Sequence, residues 1–501
     1  MTDRRLQTAR TLAQAIAAGE CSSEELTQRA LASIQAHNPA LNALVTLNAE
    51  QALATARQVD AGLIRGPLAG VPITLKDAFE TAGLRTTSSH KPLSSHVPQR
   101  DASAVARLRA AGAVILGKTN LPELAGDLQC NSPLFGRCNN PWDLERTSGG
   151  SSGGSAVSVA AGHAWLDLGS DIGGSIRIPA AFCGVAGFKA TENRIPRTGH
   201  IPHLPGTARS VRHLLAFGCL ARTVDDLRLG FELIAGPDGH DSEVPPLPIQ
   251  PAQPVSARSL RIAWWDEFPI PLSTATRDVL KATVQRLESA GVTVQRIQPP
   301  GFDLASCWNA YGAVAGAEIA LGMPRLARTL FATAGSLLPG LGPLTRALLK
   351  GMRLDARTYN QGLHLREQQL NALESFLGTW DAWLCPTVVI SAFEHQSNPL
   401  GRLTVDGQRY PYLDAGIGLT CPFSLTGHPV LDLPAGLDAH GLPVGLQLIG
   451  KRWQDERLLD IGAALEPLFG PSPALACLDK DLPWKPARPA PASTAASTSP
   501  G

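Results

Sequence analysis

Lys76 stands out because the chain has only nine lysines against 35 arginines. It closes the run Gly70-Val71-Pro72-Ile73-Thr74-Leu75-Lys76-Asp77, whose Val, Ile and Leu alternate at period two and predict a strand. A lysine carried into an apolar sheet loses hydration, which disfavours its ammonium form and frees a neutral amine to act as a base. A strand-end lysine that snorkels to water would satisfy the same pattern, so the position alone does not decide. A second feature is Asp171-Ile172-Gly173-Gly174-Ser175-Ile176-Arg177-Ile178-Pro179, where a serine follows two glycines. Consecutive small residues let backbone N–H groups converge on one point, which is how an oxyanion is stabilised. A third is the block Ser148-Gly149-Gly150-Ser151-Ser152-Gly153-Gly154-Ser155. Flexible linkers have that composition, but this block runs straight into Ala156-Val157-Ser158-Val159-Ala160-Ala161, a tightly packing segment rather than a domain boundary.

Other motifs fail on context. Gly112-Ala-Val-Ile-Leu-Gly117-Lys118-Thr119 fits the phosphate-loop string, but that string needs a loop in its middle, and Ala-Val-Ile-Leu is a strand whose N–H groups belong to a sheet. Gly149-Gly150-Ser151-Ser152-Gly153 fits the nucleophile elbow, which requires an apolar strand directly before it. What precedes is Asn140–Arg146, read here as a polar loop. His200 and His203 flank Ile201-Pro202 with no carboxylate or thiol cluster beside them, so no metal site is expected.

Taken together, the lysine strand, the Gly/Ser block and the Asp171–Pro179 segment resemble the amidase signature family of serine hydrolases over nearly the whole chain. Phe135-Gly136-Arg137-Cys138-Asn139-Asn140-Pro141-Trp142, Leu384-Cys385-Pro386-Thr387 and Gly441-Leu442-Pro443-Val444-Gly445-Leu446-Gln447 sit where that family has similar segments. Lys76 and Ser151 are 75 residues apart and Ser151 and Ser175 are 24 apart, as in familiar members. The resemblance implies a Ser–Ser–Lys triad. Ser175 would be the nucleophile, Ser151, on a cis peptide bond, the bridging acid/base, and Lys76 the base. Backbone N–H groups of Ile172, Gly173, Gly174 and Ser175 would form the oxyanion hole. Asp171 with Arg177, and Ser152 with Thr147, would support the loops from behind. No metal or organic cofactor is implied, and the family points to a homodimer.

The elements that must position these residues are legible in part. Residues 5–60 read as two or three helices, with Ser22-Ser23-Glu24-Glu25 opening one of them. A helix from Asp101 or Ser103 through Ala111 precedes the apolar run Ala113–Leu116. A β-α-β unit spans 259–297, with Leu260–Trp264, a helix over 274–290 and Val292–Ile297. Trp383–Cys385, Val430–Leu433 and Val444–Ile449 are further strands, and a last helix lies near 454–468. Strands interleaved with helices predict an α/β fold, and the family implies an α/β/α sandwich around a mixed sheet. The expected organisation is one amidase signature domain over 1–482, with a helical insertion at 303–378 and a disordered Pro/Ala/Ser-rich tail at 483–501.

The formal net charge of +1 argues against nucleic acid as a partner. The chain lacks both a secretory pattern and an apolar run long enough to span a bilayer. With nine scattered cysteines and no C-x-x-C pair, a reduced, cytoplasmic protein is expected. Within the insertion, 325–353 carries Arg325, Arg328, Arg346, Lys350 and Arg353 with many leucines and no acidic residue. Such a stretch could lie on a membrane surface, but Pro339 and Pro343 favour a folded helical cap. The glutamine-binding segment of the A component of the transamidosome is rich in Ser, Asn, Arg and Tyr, and Ala310–Glu318 lacks that pattern. The apolar insertion points instead to a bulky hydrophobic or aryl amide, with aryl carbamates as the alternative substrate. The expected pocket residues are Leu128, Gln129, Asn131, Ile201, Tyr311 and Leu326. A non-catalytic scaffold of the same fold is the competing expectation from another class.

Overall fold

The computed structural model describes residues 7–207, 209–336, 340–396 and 401–470. The tail at 483–501, Cys477 and Pro339 lie outside the described residues. Eleven strands form one sheet: β1 (Leu44–Leu47), β2 (Pro72–Lys76), β3 (Val114–Thr119), β4 (Leu166–Asp171), β5 (Ala186–Lys189), β6 (Ala216–Ala221), β7 (Arg261–Trp264), β8 (Thr293–Arg296), β9 (Ala382–Pro386), β10 (Val430–Leu437) and β11 (Pro443–Ile449). Their spatial order is β1-β3-β2-β4-β6-β5-β10-β11-β9-β7-β8. Strand β2 runs parallel to β3 and β4, and β7 runs parallel to β8 and β9. The strands between β4 and β9 pair antiparallel, so the sheet is mixed, as expected.

Every residue of β2, β3, β4 and β6 is buried, so helices must cover both faces of this part of the sheet. Helix α1 (Gly153–Ala160) lies on one face and is built from glycine, alanine, valine and serine alone, all buried. Its Ser155 and Ser158 hydroxyls lie 3.0 and 3.1 Å from those of Thr119 and Thr74 on the sheet. Helix α2 (Arg177–Cys183) is buried throughout and stops at Gly184, which takes a left-handed conformation with φ 71°.

Several expectations are corrected. Residues 7–60 hold three helices, Ala9–Ala17, Ser23–Leu41 and Ala49–Asp60, in keeping with the expected two or three, but with the unexpected strand β1 between the last two. Asp143–Thr147, read as loop, is a short strand paired with Asn139–Asn140. It stands apart from the central sheet because its Asp, Glu and Arg side chains keep it out of the core, so the elbow still lacks its apolar strand. Lys118 sits within β3, buried, which leaves no phosphate loop there.

The insertion comprises α3 (Leu304–Leu321), α4 (Arg325–Ser336), α5 (Pro343–Gly351) and α6 (Ala356–Phe376). Pro343 occupies the first turn of α5, where its missing N–H costs nothing. Leu344, Ala347 and Leu349 of α5 are buried, as a packed cap requires, whereas Leu326, Leu330 and Phe331 of α4 are exposed. Glu318 of α3 is buried and accepts from the N–H groups of Arg212 (2.8 Å) and His213 (3.0 Å) and from the Tyr359 hydroxyl of α6 (3.0 Å). It also lies 2.6 Å from His213 Nδ1, so this one carboxylate fastens the 209–214 segment to the insertion. Among the described residues no helix is long and apolar enough to cross a membrane.

Candidate active site

Strand β2 ends with Lys76 in the interior, where the residue is fully buried. Its Nζ lies 2.7 Å from Ser151 Oγ, 3.0 Å from Ser170 Oγ and 3.4 Å from Ser170 O. Burial lowers the amine to about 7, a pull that the carboxylates of Asp171 and Asp167 only partly oppose. A lysine in that range is neutral in a large fraction of molecules at pH 7. The snorkelling alternative is therefore set aside, because the amine never reaches water.

Ser151 is also fully buried, and the Gly150–Ser151 peptide bond is cis. The Gly/Ser block is a fixed loop through Ser152 that runs into α1, rather than a linker. Thr147 Oγ1 accepts from the N–H of Gly149 (3.1 Å), and the N–H of Ser152 donates to Ser175 O (3.0 Å). This last bond ties the two serine-bearing loops together one residue from Ser151. Ser152 Oγ lies 3.4 Å from Ser170 O. Gly149 has φ 76°, and a Cβ there would stand 2.8 Å from Pro179 Cα of α2. Only glycine meets both constraints.

Strand β4 delivers Asp171, and the chain then turns through Ile172, Gly173 and Gly174 to Ser175, which is partly exposed. Asp171 holds that turn. Its Oδ1 accepts from Gly174 N (2.8 Å) and Arg177 Nη2 (2.8 Å), and its Oδ2 from Ile176 N (3.0 Å) and Arg177 Nε (3.1 Å). Burial alone would raise this carboxyl. The Arg177 guanidinium and the converging N–H groups outweigh it and hold Asp171 well below the usual carboxylate range. Arg177 also donates to Thr420 O (2.9 Å), Gln447 Oε1 (3.1 Å) and Ser424 Oγ (2.8 Å). The expected oxyanion set narrows here: the Gly174 N–H points at Asp171, which leaves those of Ile172, Gly173 and Ser175.

The expected pocket residues do not act alike. Tyr311 of α3 is buried and comes up to the turn, since a Cβ on Gly173 would lie 2.6 Å from its hydroxyl. Leu128 is buried against Gly416. The Gln129 amide is taken up in bonds to Gln396 and to the Tyr412 hydroxyl, which itself donates to Asp127. Asn131 is exposed on a short ribbon, Ile201 is fully buried with its N–H on Ala78 O, and Leu326 is 74% exposed on α4. Residues that the sequence did not single out complete the surroundings: Ser170 beside Lys76, and Thr420 and Ser424 around Arg177. Their only signal would have been proximity, which spacing along the chain does not carry. Among the described residues no cluster of three His, Cys, Asp or Glu side chains is arranged to hold a metal ion.

The amidase family profile matches residues 25–459. Among curated proteins, the chain is 35% identical over 483 residues to the A component of the glutamyl-tRNA(Gln) amidotransferase of Roseiflexus sp. (strain RS-1), covering 90% of this chain and 94% of that protein. Among solved structures, 6-aminohexanoate cyclic dimer hydrolase complexed with substrate matches with TM-score 0.78 at 26% identity, over 94% of this chain and 98% of that one. A bacterial aryl acylamidase of the amidase signature enzymes shares the fold, with TM-score 0.79 at 23% identity over 94% of this chain and 98% of that one.

Proposed function

We propose, from the premise that this chain belongs to the amidase family, that it hydrolyses the C–N bond of bulky hydrophobic or aryl amides through Ser175, Ser151 and Lys76. The observation that carries the proposal is the 2.7 Å contact between a fully buried, near-neutral Lys76 amine and the Ser151 hydroxyl. Lys76 takes the Ser151 proton as Ser151 takes that of Ser175, and Ser175 Oγ bonds to the carbonyl carbon. The oxyanion rests on the N–H groups of Ile172, Gly173 and Ser175. Ser151 returns a proton to the leaving nitrogen, the C–N bond breaks, and the amine departs. Water, deprotonated through the same two residues, then releases the acid and restores Ser175. Aryl carbamates offer the same carbonyl chemistry and are the alternative substrate class, with esters as a side activity. The apolar insertion, with Tyr311 brought to the Gly173 turn, supports an apolar acyl or aryl group beside Ser175.

A second function is supported by the full-length similarity to the A components of amidotransferases: hydrolysis of glutamine within a complex. Against it, residues Ala310–Ala317 are buried and apolar except for Tyr311. The test is amine release from a matched amide, ester and carbamate of one aryl group, with free glutamine in parallel and Ser175→Ala as control. Arylamine release by the wild type alone supports the proposal, and the carbamate-to-amide ratio assigns the preferred class. Ammonia from glutamine without arylamine release, or equal rates from the wild type and Ser175→Ala, refutes it. Native mass measured on the same preparation reports a homodimer or a bound partner.

A further inference from the structure

On β4, across from the residue two before Lys76, lies a carboxylate that the mechanism above does not use. Asp167 is fully buried on β4, opposite Thr74 of β2 in parallel register. Thr74 reaches to within 3.1 Å of Ser158 on α1, so Thr74 and Lys76, two residues on, share the face that α1 covers. Asp167 belongs to that face too: its Oδ2 accepts from Thr119 Oγ1 (3.1 Å), which lies 3.0 Å from Ser155 of α1. The Thr74 and Ser155 hydroxyls also bear on this carboxylate.

Three acidic groups act on Lys76: Asp171 and Asp167 from β4, and the Cys130 thiol. Asp171 is neutralised by Arg177, and burial and contact with Cys138 push the Cys130 thiol up, so it stays protonated. Around Asp167 the other titratable groups are Cys219 of β6, whose thiol burial also pushes up, and Lys118 of β3. Lys118 is engaged on the Phe79 carbonyl and the Thr81 hydroxyl, and Asp77 acts on it more strongly than Asp167 does. His200 beside Lys76 is held neutral by burial between Phe79 and Phe217. Asp171 acts more strongly on Lys76 but is paired with Arg177, whereas Asp167 acts on it with hydroxyl partners only.

We propose that Asp167 is a positioning residue that holds the ammonium form of Lys76 while Lys76 carries the proton taken from Ser151. No proton passes to Asp167. The proton goes from Ser175 to Ser151 and from Ser151 to Lys76, and Asp167 stays ionised and offsets the new charge. Burial raises Asp167 to about 6, which leaves it ionised at neutral pH. The inference rests on Lys76 being the base in the proposed function.

The test uses a fluorophosphonate probe, which bonds to the reactive serine oxygen as its P–F bond breaks, so no physiological substrate is needed. The labelling rate is measured from pH 5 to 9 in the wild type, Asp167→Asn and Asp167→Ser, with the labelled residue identified by mass spectrometry. With the carboxylate gone, Lys76 loses its proton more readily. The acid limb of the profile moves down by about one pH unit, the size expected for removing one opposite charge from a buried neighbour. The plateau rate falls roughly tenfold because the ammonium is no longer offset. Asp167→Ser keeps a hydroxyl in the network and covers the case in which the asparagine fails to fold. Unshifted limbs in a folded variant that still labels Ser175 overturn the role of Asp167 alone. Failure of the wild type to label at Ser175, or labelling with no acid limb, overturns the Lys76 mechanism and this inference with it.

Discussion

Replacing Arg177 with methionine separates the geometry of the Ser175 turn from the charge that holds it. In the native protein Asp171 and Arg177 are both fully buried, with contacts of 2.8 and 3.1 Å. The folded pKa of Asp171 lies below its unfolded value near 3.9. The stability from this pair is therefore complete above that value and is lost as pH falls through the folded pKa. Arg177→Met removes the cation and keeps the burial. Asp167 shows what burial with hydroxyl partners does on the same strand, where the carboxyl sits at about 6. If Asp171 moves there, its folded pKa exceeds the unfolded one and the sign reverses. Stability is then retained at low pH and lost as pH rises through about 6, by about 3 kcal/mol at 1.36 kcal/mol per unit. Thermal unfolding of both proteins at pH 5, 6, 7 and 8 reads this directly. The difference in Tm should widen from pH 5 to pH 8. A difference that is constant across the series, or smaller at pH 8, would refute the reasoning.

Lys76→Met should fold normally, because a neutral side chain suits the site, yet slow fluorophosphonate labelling of Ser175 by about 10²–10⁴-fold; circular dichroism and the labelling rate check both halves. In the wild type that rate should rise with pH through about 7, since Lys76 must lose its proton to act as base, and a flat profile would remove Lys76 from the mechanism. Gly174→Ala puts a Cβ 2.5 Å from Thr420 Oγ1 and 2.7 Å from Ile178 Cδ1, at φ 130°. It should abolish labelling and cost about 1–3 kcal/mol in a denaturant melt. Glu318→Ala unfastens the 209–214 segment from α3 and α6, with a loss of about 2–3 kcal/mol and new cleavage there under limited proteolysis.

The edge and centre of the sheet were legible to different degrees. β2 and β11 announce themselves through alternating apolar residues, and the β7–β8 unit through its intervening helix. Strands β4 and β6 were not singled out, because Leu-Asp-Leu-Gly-Ser-Asp and Ala-Phe-Gly-Cys-Leu-Ala mix small and polar residues that only their neighbours can satisfy. Within the site, Lys76 was conspicuous because lysine is rare here, and the two serine loops because glycine crowds them. The support around Arg177 was not readable. Thr420 and Ser424 lie about 245 residues downstream, on or beside the five-residue helix Cys421–Leu425, and their role exists only once β10 and β11 have joined the sheet. Gln447 was visible only as part of a family-like segment, with nothing to show that its amide would meet a guanidinium.

That late support sets when in synthesis the Ser175 turn gains its full bracing. By residue 177 a growing chain already contains Lys76, Ser151, Ser175 and the Asp171–Arg177 pair. Three of the groups that Arg177 needs, the Thr420 carbonyl, the Ser424 hydroxyl and the Gln447 amide, are not yet made. Without them the guanidinium that pairs with Asp171 behind the Ser175 turn has unmet donors, and Asp171 alone is left to brace the turn. A fragment ending short of Gln447 therefore carries Lys76, Ser151 and Ser175 without the full set of acceptors that Arg177 meets in the complete fold.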